Sequence, residues 1–206
     1  MRIQPAKRRL GILLSGRGSN FEAIADRIDS GQLHAEIAVV ISNVEAAAGF
    51  ERAKARRLPA LYIPSRKRPR EEFDAEVVAA LRKHDVSLVV LAGFMRIFSL
   101  VFTDAFPHHI LNIHPSLLPS FPGLEPQRQA LEAGVRFSGC TVHLVDGVLD
   151  GGPIVMQAVV PVLDEDTVDT LSARILTEEH RIYSEAIQLV LSGRCTIQGR
   201  RIITAK

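Results

Sequence analysis

Residues 88–91 read Leu88-Val89-Val90-Leu91, an uninterrupted apolar run that leads into Ala92-Gly93. A run of this length is typical of a strand buried on both faces, because a strand with one face in water alternates apolar and polar residues. Strands of this kind occur in parallel sheets covered by helices on both sides. The run therefore indicates an interior strand of a parallel sheet.

Strand-like and helix-like segments alternate on either side of this run. The strand-like segments span residues 9–14, 36–42, 60–63, 88–92 and 110–113, and the helix-like segments span residues 21–30, 46–57 and 70–84. This alternation predicts an α/β fold with a doubly wound, mostly parallel sheet.

The pattern changes beyond Gly134. Two longer strand-like segments, 139–145 and 153–162, precede one long helix-like segment from about residue 167 to 191. They predict antiparallel additions to the sheet and a long C-terminal helix. No repeat, low-complexity stretch or linker interrupts the chain, so we expect one domain over residues 1–206.

Composition narrows the classes of partner. The chain has 206 residues, of which 47% are hydrophobic, and its formal charge is +2. This charge is too small to indicate a polyanionic partner, and the absence of Trp removes the best base-stacking side chain, so we expect no nucleic-acid partner. The basic run Arg66-Lys67-Arg68-Pro69-Arg70 is typical of a solvated loop.

The chain shows no sign of export or membrane insertion. Its apolar runs are too short to span a bilayer, and residues 1–14 lack the apolar core of a signal peptide. Its only cysteines, Cys140 and Cys195, fit a reducing compartment. We therefore expect a cytoplasmic protein with no membrane partner.

The segment Leu111-Asn112-Ile113-His114-Pro115-Ser116-Leu117-Leu118-Pro119 places an amide and an imidazole at the end of a strand. Asn112 and His114 share a face of the strand because they are two positions apart. An amide can donate to a developing oxyanion and an imidazole can move a proton, which suits acyl-group chemistry. The alternative is a strand end whose Asn caps a turn and whose His is merely buried.

The first strand leads through Ser15-Gly16-Arg17-Gly18-Ser19-Asn20-Phe21 into a helix. Backbone N–H groups at such a helix start, together with the Ser19 and Asn20 side chains, favour phosphate binding. The dinucleotide fingerprint is not met, because Phe21 occupies its third glycine position and Ser42-Asn43 stands where an acidic ribose ligand is expected. We expect a monophosphate site, and the alternative is an ordinary glycine-rich turn.

A third segment, Leu149-Asp150-Gly151-Gly152-Pro153, puts a carboxylate in an irregular loop. Catalytic groups collect at the carboxyl ends of the strands in doubly wound sheets, so Asp150 can lie near His114. A carboxylate there would favour the protonated imidazole and fix its orientation. By itself, Asp-Gly-Gly is more often a turn. His108, His109 and His114 lack an acidic or Cys partner at ligand spacing, so we expect no metal.

Together these segments resemble the phosphoribosylglycinamide formyltransferases, a folate-dependent family, from Leu10 to about Leu191. The shared motifs are Gly16-Arg17-Gly18-Ser19-Asn20, Leu91-Ala92-Gly93-Phe94-Met95-Arg96-Ile97, the 112–119 run continued by Phe121-Pro122-Gly123-Leu124, and residues 146–153 with Gln157 beyond. The resemblance implies a Rossmann-like formyltransferase fold. It also implies transfer of a formyl group from 10-formyltetrahydrofolate to the glycyl amine of 5-phosphoribosylglycinamide, in de novo purine (IMP) biosynthesis.

The resemblance also implies roles for individual residues. The catalytic set would be Asn112, His114 and Asp150. The ribonucleotide would be held at its phosphate by Gly18, Ser19 and Asn20 and at its ribose by Glu179. The folate pocket would be formed by Met95, Arg96, Ile97, Phe98, Asn112, Val145 and Leu149, with Arg70 also meeting the folate. The Leu118-Pro119 bond would be cis.

The chain departs from the family pattern at two places. Glu125-Pro126-Gln127 stands where relatives often carry His, a change that concerns details of the substrate contacts and not the reaction. Ser184 replaces a common proline and should leave the last helix straight.

Other functions stay open. A formyltetrahydrofolate hydrolase would use the same three residues but usually carries a regulatory domain before the core, which here begins at Arg9. A transfer-RNA formyltransferase would need an added nucleic-acid domain. A noncatalytic nucleotide-binding module would leave Asn112, His114 and Asp150 without a reason. We expect small-molecule partners, glycinamide ribonucleotide and folate, and a monomer or homodimer.

Overall fold

Nine strands hydrogen-bond into one sheet in the computed structural model, which describes Ile3 and residues 7–204. The strands are β1 (Arg9–Leu14), β2 (Glu36–Ser42), β3 (Ala60–Tyr62), β4 (Leu88–Leu91), β5 (Ile110–His114), β6 (Phe137–Leu144), β7 (Ile154–Pro161), β8 (Cys195–Gln198) and β9 (Arg201–Thr204). The helices are α1 (Ser19–Asp29), α2 (Ala48–Ala55), α3 (Arg70–Lys83), α4 (Leu100–Ala105), α5 (Pro126–Glu132) and α6 (Val168–Leu191).

The sheet has the order β3-β2-β1-β4-β5-β6-β7-β9-β8. Strands β1 to β5 are parallel, whereas β6 runs antiparallel to both β5 and β7. The predicted doubly wound sheet, its antiparallel additions and its long C-terminal helix are confirmed. The single-domain boundary stays a prediction, and the signal-peptide expectation lies partly outside the described residues.

Helices cover the sheet on both faces and create two cores. Along β1, Leu10, Ile12 and Leu14 pack into the core shared with α1, α2, α5 and α6. Leu13 points the other way, into the core shared with α3 and α4. Burial on both faces explains why these strands are almost wholly apolar.

Several sequence expectations need correction. Helix α1 begins at Ser19, two residues earlier than expected, so Ser19 and Asn20 lie in its first turn. Four elements were not expected from the sequence: the short helices α4 and α5 and the hairpin strands β8 and β9. Arg70 is the first residue of α3, as the helix-like segment 70–84 predicts, and it ends the basic run 66–70.

Helix α6 begins where expected because Thr167 and Thr170 cap each other. The Thr170 N–H donates to Thr167 Oγ1 at 3.2 Å, and the Thr167 N–H donates to Thr170 Oγ1 at 2.9 Å. These bonds satisfy backbone donors that the first helical turn leaves free. The helix continues through Ser184 to Leu191, as expected without a proline. Of the helices described, none is both long and apolar enough to cross a membrane.

Candidate active site

The candidate site lies at the carboxyl edge of the parallel strands, where the sheet changes winding direction. Strand β1 has β2 on one side and β4 on the other, so the loops after β1 and β4 leave in different directions. A crevice opens at such a point and is the usual ligand site of doubly wound sheets. We call residues 15–18 the β1 loop, residues 92–99 the β4 loop and residues 145–153 the β6 loop.

His114 is the last residue of β5 and is 5% exposed. Its Nε2–H donates to the Phe121 carbonyl at 2.8 Å, and its Nδ1 lies 3.6 Å from Asp150 Oδ2. Each ring nitrogen therefore faces an oxygen acceptor.

Asp150 reaches His114 through an unusual backbone conformation. Its φ of 49° is left-handed, a region that Asp tolerates better than most side chains. The Gly123 N–H donates to Asp150 Oδ2 at 2.9 Å. This bond links the β6 loop to the segment after His114. The carboxylate oxygen Oδ1 lies 3.7 Å from His143 Nε2, so Asp150 stands between two imidazoles.

His143, which the sequence pattern did not single out, lies opposite Asn112 in the β5–β6 pairing. Its Nδ1–H donates to the Leu144 carbonyl at 3.0 Å, which leaves Nε2 to accept from Asn112 Nδ2 at 3.1 Å. Burial lowers the pKa of His143, so the ring stays neutral and keeps its accepting nitrogen. His143 thereby orients the Asn112 amide.

The alternation of residues along β6 gives part of the evidence for the position of His143, but not all of it. In β6, Cys140, Val142 and Leu144 enter the core, so His143 points to the opposite face. The pairing of β5 with β6 is needed before that face can be recognised as the one carrying Asn112.

The β1 loop ends in a helix start that has no side-chain cap. Gly18 adopts a φ of 75° as the N-cap of α1. The first N–H groups of a helix have no partner within the helix, so those of α1 are available to an anion. Asn20 Nδ2 donates to Glu179 Oε2 at 2.8 Å, whereas its buried Oδ1 has no partner among the described residues. Glu179 is 7% exposed, and burial raises its pKa.

The residues expected to line a folate pocket have different surroundings. The β4 loop exposes Met95 (73%) and Ile97 (56%), and Leu149 of the β6 loop is 60% exposed. Large exposed apolar side chains on neighbouring loops are typical of a binding surface. Val145 packs against the core, and its N–H donates to the Ile110 carbonyl at 2.9 Å.

Two of these expected residues have inward contacts. Phe98 stacks between Phe94 and Phe102, with ring centroids 5.2 and 3.9 Å away. The Arg96 guanidinium lies 4.7 Å from the Phe73 ring centroid. It donates to the Ser65 carbonyl at 2.8 Å and to the Arg68 carbonyl at 3.3 Å, which leaves its backbone as the part available to a ligand in the β4 loop.

Other expected features also have a place in the structure. The Leu118-Pro119 bond is cis. Arg70 is exposed at the start of α3, while the neighbouring Arg68 pairs with Glu76 at 2.7 Å. Within the described ranges, no three His, Cys, Asp or Glu side chains are grouped so as to hold a metal ion.

Comparison with known proteins identifies the family of this architecture. Residues 8–187 match the family model described as formyl transferase. The phosphoribosylglycinamide formyltransferase of Escherichia coli K12 is 42% identical over 89% of this chain and 87% of its own length. The crystal structure of glycinamide ribonucleotide transformylase 1 from Symbiobacterium toebii superposes with a TM-score of 0.94, at 51% identity, over 96% of this chain and 94% of that chain.

A longer relative contains a similar segment. The trifunctional purine biosynthetic protein adenosine-3 of Drosophila pseudoobscura is 47% identical over 94% of this chain. The present chain spans only 14% of the length of that relative.

Proposed function

The chain belongs to the formyl transferase family, and we propose that it transfers the formyl group of 10-formyltetrahydrofolate to the glycyl amine of 5-phosphoribosylglycinamide. This reaction belongs to de novo purine biosynthesis and yields the N-formyl product and tetrahydrofolate. The names of the relatives support the reaction. The observation that carries it is the environment of His114, with an oxygen acceptor at each ring nitrogen.

The proposed chemistry is an acyl transfer in two stages. The neutral glycyl amine attacks the formyl carbon, which forms a new C–N bond and puts negative charge on the formyl oxygen. Collapse of this intermediate breaks the bond from the formyl carbon to the folate nitrogen. The proton that the amine loses finally resides on that nitrogen, so charge and atoms balance.

Asn112 and His114 would stabilise the oxyanion. One Asn112 N–H is committed to His143, which leaves the other for a ligand. The Nδ1–H of protonated His114 is not in a direct hydrogen bond, because Asp150 Oδ2 lies 3.6 Å away. Donors held in place before the reaction need no reorganisation when the charge develops.

Asp150 would serve both the imidazole and the amine. Its carboxylate faces Nδ1 of His114 and can take the proton of the attacking amine, directly or through one water, before that proton passes to the folate nitrogen.

The acceptor would bind at the β1 loop. Free N–H groups at the start of α1 suit its phosphate, and the Asn20–Glu179 pair offers acceptors for ribose hydroxyls. The folate would lie on the exposed apolar side chains of the β4 and β6 loops. The cytoplasmic location, the monomer or homodimer and the absence of a nucleic-acid partner stay predictions.

The test is absorbance-monitored release of tetrahydrofolate with and without glycinamide ribonucleotide. We expect release only when the ribonucleotide is present. Release of tetrahydrofolate at the same rate with and without the ribonucleotide would assign the chain as a formyltetrahydrofolate hydrolase. Folate binding without any turnover would instead favour the noncatalytic module.

A further inference from the structure

One row of hydrogen bonds joins the loops that follow four neighbouring strands, β4, β1, β2 and β3. The Met95 N–H donates to Ser15 Oγ at 2.9 Å. The Ser15 hydroxyl donates to Asn43 Oδ1 at 2.6 Å, and Asn43 Nδ2 donates to Ser65 Oγ at 3.0 Å. The row thus runs along the carboxyl edge of the sheet in the spatial order of the strands.

All the bonds in the row point in the same direction. The single Ser15 proton is committed to Asn43, so its oxygen is left to accept from Met95. Bonds that run in one direction polarise and strengthen one another. Ser65 is buried and Asn43 is half-buried, so water competes little for these groups. Removing Ser15 Oγ or the Asn43 amide would therefore break the row at that point and loosen the side-chain support of the loops beside it.

Two further contacts tie members of the row to the β4 loop. The Ser15 N–H donates to the Gly93 carbonyl at 3.1 Å, which gives the β1 and β4 loops a second connection. At the other end, Arg96 Nη1 donates to the Ser65 carbonyl at 2.8 Å. The β4 loop is therefore connected to both ends of the row.

The proposed function gives this connection a use, because the β1 loop would hold the ribonucleotide and the β4 loop the folate. The amine and the formyl carbon must meet within a few tenths of an ångström of the attack geometry, although the two substrates bind different loops. A misplacement of about 1 Å can reduce the rate about 100-fold without removing any reacting group.

We propose that Ser15 and Asn43 are positioning residues that hold the β1 and β4 loops in one frame, so that the acceptor amine faces the formyl group. This proposal rests on the proposed function. It concerns the alignment of the two bound substrates and not the affinity for either one.

The experiment compares Asn43→Ala and Ser15→Ala with the wild-type enzyme. We expect kcat at saturating substrates to fall about 10- to 100-fold. The dissociation constants of glycinamide ribonucleotide alone and of tetrahydrofolate alone, measured by calorimetry, should change less than about threefold. A merely structural defect would lower both affinities and the melting temperature together.

Two variants serve as controls. Val44→Ala changes the exposed residue next to Asn43 and should keep the wild-type kcat. Asn43→Asp keeps an acceptor for the Ser15 hydroxyl and can accept from the Ser65 hydroxyl, so it should restore most of the kcat that Asn43→Ala loses.

The outcomes separate this proposal from the proposed function. A wild-type enzyme that does not formylate the ribonucleotide overturns the function itself. A wild-type enzyme that turns over, with an Asn43→Ala variant of equal kcat, overturns only the positioning role. An Asn43→Ala variant that loses affinity for both substrates in proportion to kcat also contradicts it.

Discussion

The Asn112 amide and the His143 imidazole face each other across the β5–β6 pairing, with 3.1 Å between Asn112 Nδ2 and His143 Nε2. Because the other His143 nitrogen donates to the Leu144 carbonyl, Nε2 is an acceptor. The amide nitrogen of Asn112 is therefore held toward β6, and its second N–H keeps a fixed direction. His143 controls the proposed oxyanion donor without being that donor.

The first prediction concerns this contact. His143→Phe should lower kcat about 10- to 100-fold. Removal of an oxyanion donor itself lowers kcat about 10²–10³-fold, so the loss in His143→Phe should not exceed that. His143→Gln, which can present an amide oxygen to Asn112, should recover part of that loss. Steady-state rates at saturating substrates measure both effects. Equal rates for His143→Phe and the wild type would show that Asn112 needs no such partner.

The second prediction concerns Asp150. Asp150→Asn removes the charge beside His114, and we expect turnover to fall about 10²–10⁴-fold while tetrahydrofolate still binds. Single-turnover kinetics and calorimetry measure the two quantities separately. Asp104→Asn, an exposed carboxylate on α4, is the matched control and should behave as the wild type. A variant with near-normal turnover would rule out the proposed role of Asp150.

The parallel half of the fold was predictable because most of its strands are short, largely apolar runs buried on both faces, whereas the edge strand β3 is only partly buried. Helix α4 was not, since it has only six residues and its start depends on Asp74 in α3. Asp74 Oδ2 accepts from both the N–H and the hydroxyl of Ser99 at 2.6 Å. A cap supplied from 25 positions away leaves no local pattern.

The candidate site shows the same limit. The 3.6 periodicity of α6 indicates a helix but does not reveal that Glu179 meets Asn20, 159 positions away. The resemblance implied a role at the ribonucleotide for each of these two residues, but not their contact. His143 had no such support, and its role depends on the register of β5 with β6.

The third prediction tests the backbone contact that supports the β1 loop. The Gly49 N–H donates to the Gly16 carbonyl at 3.0 Å, and a Cβ added at Gly49 would lie 2.9 Å from the Gly18 Cα. Gly49→Ala should therefore shift the β1 loop and raise the KM for glycinamide ribonucleotide several-fold, with little effect on the KM for the folate.

Steady-state kinetics with each substrate varied in turn checks this prediction. Overpacking costs about 1–3 kcal/mol, so thermal unfolding should also show a modest loss of stability. Ala48→Ser, one residue earlier on the exposed face of α2, is the control. An unchanged ribonucleotide KM in Gly49→Ala would show that the loop position does not matter for that substrate.

The last prediction uses the raised pKa of Glu179, whose ordinary value is 4.5. Burial favours the neutral carboxyl, so in the folded protein Glu179 keeps its proton to higher pH than in the unfolded chain. Between these two pKa values the folded state binds more protons, and the free energy of unfolding therefore falls as pH rises. Glu179→Gln lacks this titration but keeps an oxygen that can accept from Asn20. The difference in unfolding free energy between Glu179→Gln and the wild type should thus grow in favour of the variant as pH rises above 4.5, by about 1.4 kcal/mol for each unit of pKa shift. Urea denaturation at several pH values measures this difference.

His143 also titrates with a lowered pKa, but it is present in both proteins and cancels in the difference. Burial raises the pKa of the neighbouring Cys140 to about 12, outside the window. A difference that stays constant with pH would mean that Glu179 ionises in the folded protein as it does in water, and the buried, neutral carboxyl would have to be abandoned.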